Sequence, residues 1–288
     1  MNWSRENNML LHEKKFELML HKCRENLLLT ELPFTSHLQT YSVSTGDTLD
    51  AVTHLRDLGV IVSDDLSWST HISSIVPKAR SVAAWIFSVF ITRDTISMMT
   101  LYKSLVRSLL EYSCPLWNPK KVSDIHQLEA VQRTFTKKIW NLRDLDYWKR
   151  LKVLNLMSLQ RRRERYIILH MWKVLHCITP NDLKIEFRPP NRLGIKAKVP
   201  QTMHGAARRH QTIYDASFAI QGPRLWNCLP SNVTTVSSFD QFKELLTTFL
   251  LSFPDTPPVR GYTCVNSNSL LEWSLTNSDS RSPHAMSW

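Results

Sequence analysis

The chain has 288 residues, 43% hydrophobic and 21% charged, an ordinary globular balance that supplies a packed core. Its formal net charge is +11 and its pI about 9.6, a surplus that favours polyanions, meaning nucleic acid or an anionic membrane surface. Six glycines argue against Gly-rich phosphate loops and against a fold of many tight hairpins.

A membrane span is not expected. The longest apolar run, Val82 to Ile91, is far short of the roughly 20 residues that a span needs. The opening MNWSRENNML lacks the form of a secretory signal. These features imply a soluble intracellular protein, in nucleus or cytoplasm. Five widely spaced cysteines with no CxxC read as reduced thiols, and the 11 histidines show no metal-ligand spacing. No GxSxG, GxxxxGK[ST] or GxGxxG occurs, so a hydrolase triad and a nucleotide cradle lack support.

In chain order, Asn7-Asn8 break a first helix, FELML (Phe16 to Leu20) reads as a strand or buried turn, and Gly46-Asp47 is a hairpin turn signal. HLRDLGVIV (His54 to Val62) reads as one buried strand leading into Asp64-Asp65. A helix follows, with Ile72, Ile75, Val76, Ala79, Val82, Ala83, Ile86 and Phe87 on one face and Pro77 as a kink. Thr95 is the expected cap of the next helix, whose inner face is Met98, Leu101, Tyr102, Leu105 and Leu109. Ser123 is expected to cap a third, with Ile125, Leu128, Val131, Gln132, Phe135 and Ile139 spaced for burial. A long helix then runs to about Cys177, buried along Tyr166, Leu169, Trp172 and Leu175. Residues 181 to 215 read as a basic, extended or partly ordered loop, WNCLP (Trp226 to Pro230) as a turn and FDQFKELLTTFLLSF as an amphipathic helix. The tail beyond Pro254 is rich in Ser, Pro and Asn and reads as disordered.

The order of several stretches resembles the C-terminal part of a LINE-type (non-LTR) retrotransposon reverse transcriptase. They are LGVIVSDDLSWSTHI, LYKSLVRSLLEYSCPLWNP, LEAVQRTFTKKI, DYWKRLKVLNLMSLQRRRERY, a WK-containing helix, and WNCLP followed by FDQFK, and they span roughly residues 3 to 250. In the opening WSRENNMLLHEKKFELML, Lys15 matches the lysine that follows the polymerase's catalytic hairpin. The resemblance implies a mainly α fold with a helical thumb-like bundle, a small β remnant of a polymerase palm at the N-terminus and a small helical C-terminal region. The boundaries are palm remnant 1–65, thumb-like bundle 66–178, basic loop 179–215, C-terminal helical region 216–253 and tail 254–288. The core is expected in the helices from 70 to 178, with residues 1 to 62 the weakest part.

The family's catalytic aspartates lie upstream of all these stretches, and Asp64-Asp65 match the junction of palm and thumb. Adjacent residues on a strand point to opposite faces, so the pair alone cannot hold two metal ions, and a turn suits it better. No catalytic or metal-ligating residue and no cofactor is therefore expected in this chain, although the full-length family enzyme uses Mg2+. The chain alone is expected not to polymerise.

The expected partner is RNA or an RNA–DNA duplex, bound through its backbone without sequence preference. The candidate contacts are Arg133, Lys137 and Lys138 on the outer side of the third helix; Arg161, Arg162, Arg163 and Arg165 in RRRER; and Lys196, Lys198, Arg208 and Arg209 in the basic loop. RRRER also admits a plainer reading, a helix start in which one arginine pairs with Glu164 or another carboxylate. Tyr112, Trp117, Tyr147 and Trp148 suit packing better than base stacking. The rival class is a non-enzymatic helical interaction protein, or a retroelement relic without selected function.

Overall fold

The computed structural model describes residues 6–8, 16–19, 51–200, 214–253, 255 and 269–271. These residues form a mainly helical structure, with nine helices and one two-stranded antiparallel hairpin. The chain divides into two compact units, residues 1–71 and 72–288.

The first unit holds the hairpin. Strands β1 (His54–Asp57) and β2 (Val60–Ser63) pair so that Asp57 faces Val60, leaving Leu58-Gly59 as a two-residue turn. Both turn residues have positive φ, 43° and 90°. That backbone matches the twist of the strands it joins. HLRDLGVIV is therefore a hairpin and not the single buried strand expected from its apolar letters, and Leu58 is 86% exposed at the tip. Leu18 makes a parallel bridge to Ala51, so FELML does contribute extended backbone. Asn7 and Asn8 form a turn, with Asn8 at φ 52°. Gly46-Asp47 lies outside the described residues.

Helix α1 (Ser69–Val89) runs through Pro77. In the second unit its residues Ile72, Val76, Ala79 and Ile86 are buried, as their spacing demands. Helix α2 (Thr95–Leu101) starts one residue earlier than expected in its cap: Asp94, not Thr95, accepts the Ser97 N–H at 2.9 Å. A π-helical turn (Tyr102–Val106) then leads into α3 (Arg107–Glu111). This wider turn carries an extra residue before the chain returns to the same side. The inner face consequently becomes Met98, Met99, Tyr102, Val106 and Leu110, while Leu105 is exposed.

Helix α4 (Val122–Lys137) buries Ile125, Leu128, Val131, Gln132 and Phe135, and Ile139 just beyond it, the set read from the sequence. Lys121 occupies its N-cap position, so Ser123 sits inside the helix. After the short α5 (Tyr147–Val153), Ser158 caps α6 (Leu159–Leu175) by accepting the Arg161 N–H at 3.1 Å. Helix α6 is the hub. It packs against α4, α7 (Phe218–Asn227) and α9 (Phe239–Ser252), and α9 also meets the short α8 (Ser231–Thr234). The core thus continues past residue 178 into Leu225, Trp226, Phe242 and Leu246, beyond the limit expected from the sequence.

Two further stretches are more ordered than expected. Within 181–200 the chain doubles back on itself, Phe187 opposite Ala197 and Asn191 opposite Gly194, and Ile185 and Ala197 enter the core. Gly194 has φ 85° and an added β-carbon would overlap Thr234 Oγ1 and lie 2.8 Å from Ser231 Cα, so glycine is required there. In the tail, Asp255 hydrogen-bonds Ser158, and Leu270, 1% exposed, joins the cluster around α6. At these residues the expected disorder gives way to packing, because the carboxylate and the leucine each find a buried partner.

Two stability outcomes follow. Leu270→Ala should lose about 2–5 kcal/mol in urea unfolding, the usual range for emptying a filled core site. Leu58→Asn, at an exposed positive-φ position, should gain a few tenths to about 1 kcal/mol in the same assay, because asparagine tolerates that backbone better than leucine.

Candidate nucleic-acid interface

The four arginines of RRRER go to four different places, and two of them are interior. Arg161 is 0% and Arg163 1% exposed, leaving neither a surface to offer a phosphate. Arg161 Nη1 donates to the Leu250 carbonyl of α9 at 3.1 Å. Arg162 forms a fork on Glu111 of α3, through Nε and through Nη2 at 2.8 Å, and Tyr166 Oη donates to the same carboxylate at 3.3 Å. Arg163 Nε donates to Asn118 Oδ1 at 3.2 Å, while its Nη1 and Nη2 have no hydrogen-bond partner among the described residues. Arg165 donates from Nε and Nη2 to Thr247 Oγ1, 3.3 and 3.2 Å away. RRRER is therefore a junction between α6, α3, α9 and the loop after α3; the phosphate-facing role read from its composition is corrected for the buried Arg161 and Arg163, while Arg162 is engaged by Glu111 and Arg165 stays partly exposed. Burial pulls the Arg163 guanidinium below its ordinary value; for Arg162 burial acts the same way but the Glu111 contact outweighs it.

The balancing acids are interior too. Glu129 of α4 accepts from Tyr147 Oη and from the Leu159 N–H at 3.0 Å. Beside it Gln132 donates to Tyr147 Oη (2.9 Å) and the Met157 carbonyl (3.1 Å), and accepts from Tyr102 Oη at 2.7 Å. One buried polar knot thus joins the π turn, α4, α5 and the start of α6. Glu164 of α6 accepts from Ser269 Oγ and from the Leu270 N–H at 2.9 Å, which holds the tail. Burial pushes both carboxyls up from 4.5 to about 7.

Among the described residues, the candidate cations that are exposed without a carboxylate partner lie on the outer face of α4 and at its C-terminal end. Arg133, Lys137 and Lys138 are all exposed, and among the described residues no carboxylate forms an ion pair with them. Arg133 lies over the Tyr147 ring (4.9 Å) and Lys138 over Phe87 (4.9 Å), where Arg93 also rests at 5.4 Å. Exposed Arg143 follows in the loop to α5. Arg93 and Arg143 are additions that sequence spacing did not single out, because neither belongs to the α4 stripe.

The basic loop contributes less than its letters suggest. Lys196 Nζ donates to the Asn227 and Leu229 carbonyls, both at 2.9 Å, and burial lowers its pKa. Lys198 pairs with Glu186 at 2.8 Å. Arg208 and Arg209 lie outside the described residues. Of the aromatics, Trp117 and Tyr147 are buried as expected, while Tyr112 is exposed.

Asp64-Asp65 sit in the turn after β2, where Asp65 Oδ1 accepts the Ser67 N–H at 2.9 Å. Among the described residues no group of three His, Cys, Asp or Glu side chains is placed to hold a metal ion. No described helix is long and apolar enough to cross a membrane. In comparisons with known proteins, no family model, curated protein or solved structure matches the chain.

The raised Glu129 and Glu164 values set a sign for pH dependence. A carboxyl that holds its proton more tightly when folded contributes stability that is complete below its unfolded pKa and lost as pH rises through the folded one. Urea midpoints should therefore fall between pH 4.5 and about 7 through these two groups. Glu164→Gln, which cannot ionise, should show a shallower fall than the unsubstituted protein; an equal or steeper fall would assign the dependence to other groups.

Proposed function

We propose that this chain is a reverse-transcriptase-like protein that binds RNA or an RNA–DNA duplex through the sugar–phosphate backbone, without reading sequence. The observation that carries this reading is the exposed, acid-free stripe of Arg133, Lys137 and Lys138 on α4. The net charge of +11 supports it, as does the resemblance of LEAVQRTFTKKI and its neighbours to the retroelement enzymes. Arginine and lysine serve different parts of such a contact: the guanidinium can fork onto one phosphate, while each ammonium acts as a mobile point charge. The role is binding, with no catalytic step assigned to any residue of this chain.

Binding of this kind releases counterions, so log affinity falls linearly with log salt, with a slope near −0.9 per neutralised phosphate on a duplex. Fluorescence anisotropy with a labelled RNA–DNA duplex over a potassium chloride series should give a steep negative slope. The triple variant Arg133→Ala, Lys137→Ala, Lys138→Ala should reduce its magnitude by about 1 for each cation that touches a phosphate. A flat plot, or a slope that the triple variant leaves unchanged, would remove the basis of the reading.

A further inference from the structure

We infer that Trp140 is a stacking platform for an unpaired base, so that the basic surface around it takes single-stranded nucleic acid as well as duplex. The inference rests on the reading of the α4 stripe as a phosphate-binding surface and adds the part of the ligand that phosphate contacts do not touch.

Trp140 stands apart from the interior tryptophans. The indole N–H groups of Trp117, Trp172 and Trp226 each donate to a backbone carbonyl, those of Tyr112, Val236 and Ile195, at 2.8–3.0 Å. Trp140 is 52% exposed, and among the described residues its ring meets no other ring or cation at stacking distance. It does not sit on a loose tip. Its neighbour Ile139 is 1% exposed and Leu142 5%, so the chain is anchored on both sides of it. Its backbone N–H donates to the Arg93 carbonyl at 3.0 Å, which ties it to the α1–α2 connection. A large apolar ring held half in water by a rigid backbone forgoes the usual gain from burial.

The charge around it selects the ligand. Lys137, Lys138 and Arg143 lie within three residues of Trp140 in the chain, and the backbone bond brings in Arg93. Arg93 and Lys138 are both seated on Phe87, which is itself packed on Phe135 at 4.7 Å. The acids next to Arg93 and Arg143 in sequence are Asp94, whose carboxylate is engaged with the Ser97 N–H, and exposed Asp144. A flat ring among cations held at set positions suits a strand that presents phosphates at regular intervals and a base between them. A base inside an intact duplex is covered on both faces by its neighbours and has none to offer. Exposed Ile91, beside Arg93 in sequence, gives the patch some likeness to a membrane-surface anchor. Seated cations suit discrete phosphates better than a fluid layer of headgroups, and vesicles serve as the rival ligand below.

The test compares three ligands on the full chain by fluorescence anisotropy: an oligothymidylate of about 16 nucleotides, an abasic sugar–phosphate oligomer of the same length and charge, and a blunt RNA–DNA duplex. The unsubstituted protein should bind the thymidylate more tightly than the abasic strand. Trp140→Ala should weaken thymidylate binding by about 5- to 150-fold, the range that loss of one stacked base gives, and leave the abasic strand, the duplex and the salt slope as they were. Trp140→Phe should restore most of the loss. Equal affinity of the unsubstituted protein for thymidylate and abasic strands would overturn the inference without need of any variant, so a misfolded Trp140→Ala does not shield it. A Trp140→Ala protein that loses binding to phosphatidylserine vesicles while thymidylate binding is unchanged would also overturn it, in favour of a lipid surface. If no ligand binds with salt dependence, the stripe reading itself fails; if binding is salt-dependent but indifferent to bases, only this inference does.

Discussion

Burial of the α6 arginines is the constraint from which the arrangement of the second unit follows. Moving a guanidinium out of water costs several kcal/mol unless the site supplies hydrogen bonds and opposite charge. Helix α6 buries Arg161 and Arg163 and half-buries Arg162 and Arg165 within two turns, so the surrounding elements must deliver acceptors to fixed points. Glu111 comes from α3, Asn118 from the loop after it, and Leu250 and Thr247 from α9. Each acceptor is more than forty residues away in sequence, so satisfying one helix fixes the relative placement of three distant segments.

The same arrangement separates two populations of positive charge. Of the arginines of α6, Arg161 and Arg163 belong to the core, Arg162 is paired with the Glu111 carboxylate and Arg165 is half-buried against Thr247. The cations of α4 face outward, past the buried Gln132 and Phe135 on the opposite side of the same helix. A composition of +11 does not distinguish these populations, and the densest cluster in the sequence proves to be the less accessible one. On the reading proposed above, the accessible positive charge is a sparse stripe instead of the run that draws the eye.

Where the sequence was legible, a single helical period governed. The faces of α1 and α4, and the amphipathic character of α9, could be read because each packs one side against neighbours and turns the other to water. The π turn at Tyr102–Val106 broke that rule by shifting the register within one helical stretch, which moved burial from Leu105 and Leu109 to Val106 and Leu110. The β1–β2 turn was hidden because its first residue is leucine, which rarely adopts positive φ. The interior fate of RRRER was hidden for a different reason: α6 is enclosed by several elements, so its polar residues are solvated by acceptors that no local pattern announces. Trp140 was equally silent, since an indole next to the buried Ile139 reads as core until the backbone turn at Asn141, φ 63°, is known.

Two of the three outward cations, Arg133 and Lys138, are not the free, fully hydrated side chains that a surface stripe usually offers. Arg133 rests on Tyr147, whose hydroxyl is part of the Glu129–Gln132 knot, and Lys138 rests on Phe87, which packs on Phe135. Cation–π contacts of this kind are worth about 0.5–1 kcal/mol at exposed sites and restrict rotamers before any ligand arrives. Ordering a long side chain on binding ordinarily costs about 0.5–1.5 kcal/mol, and for the contact proposed above part of that ordering would precede the ligand. The polar interior of α4 and its charged exterior are thus mechanically connected: the knot that positions Tyr147 also positions Arg133. Loss of the knot would loosen the stripe without removing a single charge from it, which makes the packing of the core part of the electrostatics of the surface.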